Sequence, residues 1–287
     1  MSGEKPTVSE TLHEGVRLSF TADEVLHDEA TGHHRLVLIR NRLFGKVLVL
    51  DGAVQVTSAD EFMYHEMMAH VPLAAHPDPR DVLIIGGGDC GLAEEALKHE
   101  RVGSLTQIEI DQSVVEFSRR HFAEFNAPVF DDPRFTVEIA DGAAFAAGTS
   151  RKFDVVLVDS TDPTGPGAAL FTRGFYGDLR RILKPGGIAV TQNGVPFLQR
   201  REFVAGFGSL ASVFPVATCF LVSVPTYFGG HMTLGWAADE DDLLKVDKDR
   251  LQARMAGIET RYYTPAHHLA AFALPRFIED MVAEARA

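Results

Sequence analysis

Two carboxylates three residues apart, Asp159 and Asp162, end the stretch Val155-Val156-Leu157-Val158-Asp159-Ser160-Thr161-Asp162. The four apolar, mostly β-branched residues before them read as a buried parallel strand. The acids then fall at its carboxyl end, where ligands bind in open α/β sheets. Pro163, Gly165 and Pro166 stiffen the loop behind them. Acids placed this way can hold a metal, exchange a proton or grip a ribose.

A third carboxylate, Asp89, lies in the turn Gly86-Gly87-Gly88-Asp89-Cys90-Gly91, after the strand-like run 81–85 and before the helical run 92–99. Strand, glycine-rich turn and helix make the nucleotide-binding opening of a doubly wound sheet, and Gly86, Gly88 and Gly91 satisfy the dinucleotide fingerprint. A carboxylate inside the turn repels a pyrophosphate, which disfavours NAD and ATP. A nucleoside carrying a cation instead fits, as in sulfonium nucleosides of the S-adenosylmethionine type. Glu109 ends the next strand about 20 residues on, at the ribose-gripping position, and Asp141-Gly142 ends the third, where it can read an adenine edge.

His65, Glu66 and His70 tempt a zinc reading, but histidines five apart on a helix point roughly 140° from each other and cannot share one ion. The pairs His33-His34 and His267-His268 have no companion cysteines and read as surface residues. No metal site is expected. Glu109 at the ribose position weakens a ribose contact for Asp159 and Asp162, and proton exchange stays open.

The elements that must carry these groups read as follows. Residues 1–58 hold short alternating runs broken at Thr31-Gly32, Phe44-Gly45 and Asp51-Gly52, a small antiparallel β domain with a hairpin at Asp51-Gly52. Residues 59–287 read as a Rossmann-like, methyltransferase-type catalytic domain with C-terminal helices: a mostly parallel sheet, covered on both faces and ending in an antiparallel hairpin. A helix is expected from the capping-box pattern Ser58-Ala59-Asp60-Glu61 to a stop near Pro72. The tail from Asp239 reads as surface helices interrupted at Arg261-Tyr262-Tyr263.

Among 287 residues, no apolar run reaches the roughly 20 that a spanning helix requires. The polar N-terminus carries no signal-peptide pattern. Two cysteines, Cys90 and Cys219, make no disulfide framework and fit a cytoplasmic protein. A net charge of −13 argues against nucleic acid and is compatible with a cationic substrate.

Together the motifs resemble the aminopropyltransferases, and the bacterial spermidine synthase family most closely. The carrying segments, in unbroken order from about Glu10 to Ile278, are Gly45 to Gly52 with Gln55, Asp60 to Glu66, Leu83 to Asp89, Glu109 to Asp111, Asp141-Gly142, Asp159 to Pro166, Gln192 to Gly194, Pro225 to Tyr227, and Arg261 to Tyr263 on through Ala271 to Pro275. The resemblance implies transfer of the aminopropyl group of decarboxylated S-adenosylmethionine, a co-substrate, to putrescine, with no further cofactor. It implies spermidine and methylthioadenosine as products, and a homodimer or higher homo-oligomer.

By match to family positions, Asp159 is the proton acceptor. Tyr64, His65, Asp89, Asp159, Ser160, Thr161, Asp162 and Tyr227 bind the polyamine; His34, Glu109, Asp141, Gly142 and Pro166 bind the nucleoside. Gln55 and Gln192 join the pocket. Decarboxylation leaves the donor with an amine and no carboxylate, which suits Asp89.

Three positions depart from the family pattern: His34 stands for a glutamine, Cys90 for a glycine, tolerated with a negative φ, and Glu94 for an arginine. An amine N-methyltransferase using S-adenosylmethionine is the alternative activity. A catalytically inactive polyamine- or nucleoside-binding protein is the alternative from another class.

Overall fold

The computed structural model describes residues 5–11, 15–30, 35–163 and 165–287, which divide into two compact units. The smaller comprises Met1–Phe62 with Val224–Phe228. Its strands β1 (Thr7–Glu10) and β2 (Leu18–Thr21) pair antiparallel, and β3 (Glu24–Ala30), β4 (Arg35–Asn41), β5 (Gly45–Leu50) and β6 (Ala53–Thr57) form an antiparallel meander. Alternation puts Ile39, Val47, Val49 and Val54 on one core with Phe20 and Ala22. The Asp51-Gly52 hairpin forms as its sequence implies, with φ of 50° and 85° and Leu50 opposite Ala53. Asp60 ties in the returning segment: one carboxylate oxygen accepts from the Thr57 hydroxyl at 2.6 Å, the other from the Thr226 N–H at 2.8 Å and hydroxyl at 2.6 Å.

Helix α1 (Glu61–Ala75) leads into the larger unit, Met63–Ser223 with Gly229–Ala287. There β7 (Asp81–Gly86), α2 (Gly91–Leu97), β8 (Ser104–Glu109), α3 (Gln112–His121), α4 (Ala123–Asn126), β9 (Phe135–Ile139), α5 (Gly142–Gly148) and β10 (Phe153–Asp159) follow in turn. Then come α6 (Arg173–Ile182), β11 (Leu183–Gln192), α7 (Arg200–Ala211), β12 (Val216–Val222), β13 (Met232–Ala238), α8 (Lys248–Arg254), α9 (Pro265–Ala271) and α10 (Arg276–Ala285).

The sheet order is β12-β13-β11-β10-β7-β8-β9, with β11 to β9 parallel; at one edge β13 pairs antiparallel with β11 and β12 antiparallel with β13. The doubly wound expectation therefore holds. From β7 the chain steps out to β8 and β9, then returns to place β10 on the other side of β7. The carboxyl ends of β7 and β10 flank this topological switch point.

One face buries Leu83, Ile85, Val156 and Val158 against Tyr176, Leu179 and Ile182 of α6, Phe203, Phe207 and Leu210 of α7, and Ile278 and Met281 of α10. At the amino ends, Asp154 accepts from the N–H groups of Arg80 (2.9 Å) and Asp81 (2.8 Å) and from Lys184 Nζ (2.9 Å).

Several local expectations change. Helix α1 runs through Pro72 to Ala75. The proline removes one backbone donor, but Met67, Met68, Val71 and Leu73 are buried around it, and Arg254 Nη1 closes the helix end on the carbonyls of Ala74 (2.6 Å) and Ala75 (2.8 Å). Ser58 does not cap the helix; its hydroxyl accepts from the Lys46 N–H at 3.0 Å. His268 is buried rather than superficial: it shares a 2.9 Å hydrogen bond with the Tyr263 hydroxyl, and burial pushes its pKa down to about 4. His33 and His34 lie outside the described residues.

The tail is also more than a covering layer. Buried Glu66 of α1 accepts the N–H groups of Arg261 (2.7 Å), Tyr262 (2.8 Å) and Tyr263 (2.7 Å). Glu66→Ala strands three donors and should lower the unfolding free energy by about 3 kcal/mol. Urea denaturation followed through Trp236, the single tryptophan and fully buried, reads this directly. An unchanged midpoint would refute the anchoring role.

Candidate active site

The site is built where β7 and β10 end. Register pairs Asp159 with Gly86, and the Gly87 N–H donates to the Asp159 carbonyl at 3.0 Å. This approach needs glycine twice over. Gly86 and Gly87 have φ of 87° and 67°. A Cβ on Gly86 would overlap the Asp159 carbonyl oxygen, and one on Gly87 would come 2.9 Å from the Asp159 carboxylate. Gln107 of β8 fastens the turn from below, donating from Nε2 to the carbonyls of Gly86 (3.0 Å) and Gly87 (2.6 Å). The glycines thus bring a carboxylate close, which is a different use from cradling a phosphate.

Helix α1 supplies the next two groups. The Tyr64 hydroxyl donates to Asp159 Oδ1 at 2.8 Å, and His65 Nε2 stands 3.5 Å from Asp89 Oδ2. Both side chains are buried. The His65 ring lies directly over Gly91, where any Cβ would meet the imidazole. Asp89 is held through its other oxygen by the Gly91 N–H (2.8 Å) and through its carbonyl by Asn126 Nδ2 (2.8 Å). His70, one turn and more along α1, faces elsewhere. Its Nδ1 is 2.9 Å from His99 Nε2, its Nε2 is 3.0 Å from Glu95, and burial pushes its pKa down to about 3.

Electrostatics single out Asp159. Burial, then the charge of Asp89, pushes its pKa from 3.8 up to about 6, with His65 and the Tyr64 hydrogen bond pulling the other way. Among the described residues no lysine or arginine pairs with Asp89, Asp159 or Asp162. Asp162 is held instead by two amides, Gln199 Nε2 at 2.8 Å and Gln192 Nε2 at 3.3 Å. Between Asp159 and Asp162, the Ser160 hydroxyl is buried with no hydrogen-bond partner among the described residues, and Thr161 is exposed.

Glu109 closes β8 beside Gly88: a Cβ there would stand 3.0 Å from its Oε2, while its Oε1 accepts from the Asp111 N–H at 3.0 Å. Asp111 caps α3 through the Ser113 N–H (2.8 Å) and hydroxyl (2.6 Å). Asp141 caps α5 through the Ala144 N–H at 2.9 Å, and Gly142 packs over Ile85. Pro166 falls in the short 3-10 segment Gly165–Phe171. Tyr227 belongs to the smaller unit, where its hydroxyl donates to the Gln55 carbonyl.

One departure resolves differently from expectation. Cys90 has a positive φ of 62°, not a negative one. The Asp89 side chain takes the next N–H and Cys90 N–H bonds the Gly87 carbonyl at 2.8 Å, which forces the left-handed turn at a cost of about 1 kcal/mol. Glu94 pairs with Lys98 at 3.1 Å, and burial beside Glu95 pushes its pKa up to about 7. Sequence reasoning missed Gln107, Asn126 and Gln199. Only Gln107 left a signal, a lone amide in the apolar run Leu105-Thr106-Gln107-Ile108.

Residues 61–248 match the family described as Spermine/spermidine synthase domain, and residues 7–58 match the Spermidine synthase tetramerisation domain. A polyamine aminopropyltransferase of Escherichia fergusonii is 48% identical over 282 residues, 98% of each chain, and one of Shigella sonnei is 47% identical over the same span. A spermidine synthase solved with the transition state analogue AdoDATO superposes with a TM-score of 0.92 at 35% identity, covering 97% of this chain and 95% of that one. The Thermotoga maritima spermidine synthase gives 0.89 at 33% identity, over 97% and 94%.

The raised pKa of Asp159 has a stability consequence of definite sign. The folded chain holds this proton more tightly than the unfolded one, so the group's contribution to stability is complete below pH 3.8 and is lost as pH rises through about 6. Asp159→Asn cannot ionise, so it should exceed the parent in stability at pH 8 by on the order of 2–3 kcal/mol and match it near pH 4. Denaturation at the two pH values checks this. Equal stability at pH 8 would mean a well-solvated carboxylate.

Proposed function

Because the chain belongs to the spermine/spermidine synthase family, we propose that it moves the aminopropyl group of decarboxylated S-adenosylmethionine onto putrescine, giving spermidine and methylthioadenosine. The observation that carries the reading is the acid cluster at the switch point, Asp89 and Asp159 flanked by Asp162, with no lysine or arginine among the described residues paired to it. Both substrates are cations that such a cluster attracts.

In this reading the donor's adenine lies by Asp141 and Gly142 and its ribose by Glu109, while its primary ammonium meets Asp89. Asp162 anchors the far ammonium of the acceptor. The near nitrogen attacks the carbon beside sulfur in line; a C–N bond forms, the C–S bond breaks, and the electron pair leaves on sulfur as the neutral thioether. A sulfonium is already a strong leaving group, so the step requires no metal.

The attacking nitrogen arrives protonated, with an ordinary pKa near that of lysine, about 10. Asp159 takes that proton, and its pKa of about 6 makes it a better base than an ordinary aspartate near 4. The Tyr64 hydroxyl fixes which carboxylate oxygen is occupied and leaves the other for the amine.

The same proposal includes a cytoplasmic setting, supported by two buried free thiols, Cys90 and Cys219. It also includes assembly of like chains through the matched residues 7–58. No helix among the described residues is long and apolar enough to cross a membrane.

Four measurements test the chemistry. Mass spectrometry of reactions containing the decarboxylated donor and putrescine should show spermidine, and calorimetry should show binding of that donor far tighter than of S-adenosylmethionine, whose carboxylate would oppose Asp89. Preference for the carboxylated donor with methylated amine products would replace the reading by an N-methyltransferase. Asp159→Asn should abolish turnover while methylthioadenosine still binds, and parental kcat/KM should rise with pH through about 6. Full activity in the variant would remove Asp159 as the base.

A further inference from the structure

Asp162 is fastened in an unusual way for a carboxylate at a charged site. Both of its oxygens are engaged, yet by neutral amides only: Gln199 Nε2 on Oδ2 at 2.8 Å and Gln192 Nε2 on Oδ1 at 3.3 Å. Gln199 is itself held at its other end, because its Oε1 accepts from the Val195 N–H at 2.7 Å, and the side chain is buried at the start of α7. Its orientation is therefore determined: the oxygen is committed to Val195, so the NH₂ must point at Asp162. Gln192 has no such second tether, since its Oε1 is buried without a hydrogen-bond partner among the described residues.

Contrast the other end of the sheet. There Asp154 is also fixed by two neutral N–H donors, but Lys184 adds a full positive charge at 2.9 Å. An amide donor fixes a carboxylate's direction and leaves its net charge intact, whereas a lysine or arginine fixes it and cancels the charge. Asp162 retains both a set direction and a full negative charge.

We infer that Gln199 is a positioning residue for amine binding: it aims the Asp162 carboxylate along the acceptor groove without neutralising it, and so sets the affinity for the diamine rather than the rate of transfer. The inference rests on the proposed role of Asp162 as the amine anchor. Gln199 also lines a small cleft with Asp162, Phe171, Asn193 and Phe203, so the amide and the carboxylate it holds face common space.

Steady-state kinetics on the full enzyme separates this from a merely structural role. Gln199→Glu keeps the shape and the acceptor for Val195 but replaces the donor to Asp162 by a second carboxylate, whose like charge turns Asp162 away from its set direction. Gln199→Lys restores a donor but cancels the charge. Both should raise KM for putrescine by about tenfold or more, with kcat and KM for the decarboxylated donor near parental. Gln199→Asn, a shorter neutral amide, should fall between them and the parent.

Asp162→Asn is the control for the underlying reading and should raise the same KM. In that background the effect of Gln199→Glu should shrink, because the new amide can donate to the new carboxylate. Parental KM in Gln199→Glu and Gln199→Lys, alongside a raised KM in Asp162→Asn, would overturn the positioning role alone. Parental KM in Asp162→Asn would overturn the anchor and this inference with it. Thermal midpoints for each variant identify loss of fold; if Gln199→Lys unfolds, the Gln199→Glu and Asp162→Asn cycle still decides the matter.

Discussion

The short contact between the Gly87 N–H and the Asp159 carbonyl is the constraint on which the site depends. It requires two backbones to approach where neither partner residue at 86 nor 87 carries a Cβ. A methyl at 86 would push the ends of β7 and β10 apart, and one at 87 would displace the Asp159 carboxylate. Because interiors are close-packed, the displacement would also travel into the sheet. The glycine-rich turn therefore does its work on the protein's own strand, before any ligand arrives.

That approach concentrates negative charge in a poorly solvated place. Asp89 raises the pKa of Asp159, with Glu109 adding to it, and His65 offsets only part of the effect. The opposite ends of the same strands show the ordinary solution, with Lys184 between Asp81 and Asp154. The asymmetry is informative because both ends belong to one sheet and one acidic chain. At the site end, among the described residues, the acids have imidazole, hydroxyl and amide neighbours in place of a lysine or arginine.

Features carried by short runs were legible in the residues themselves. Val155 to Val158 announce a buried strand, Asp51-Gly52 a hairpin, and Gly86 to Gly91 a turn from strand to helix. Features that depend on distant partners were not. Gln199 looks like any polar residue before a helix until Asp162 arrives from 37 positions away, and Asn126 gains its meaning only from the carbonyl of Asp89. Pro72 reads as a helix stop on local grounds, yet burial of its neighbours and the reach of Arg254 carry α1 three residues further. His268 reads as a surface residue beside half-buried His267, while tertiary packing buries it against Tyr263. Cys90 shows the converse case, in which a turn's closing hydrogen bonds dictate a backbone angle that its residue type disfavours.

Glu66 stands one and two residues after His65 and Tyr64, and its three hydrogen bonds go to backbone 195 to 197 positions later. During synthesis the helix bearing two site residues is made early, but the donors that anchor it emerge from the ribosome only after residue 263. Domains fold as units on a growing chain, and contacts of long sequence separation form last. A nascent chain cut off before that point can assemble most of the sheet and still lack the fastening for Tyr64 and His65. The segment 261–263 must therefore be in place before the helix that carries Tyr64 and His65 is fully fastened.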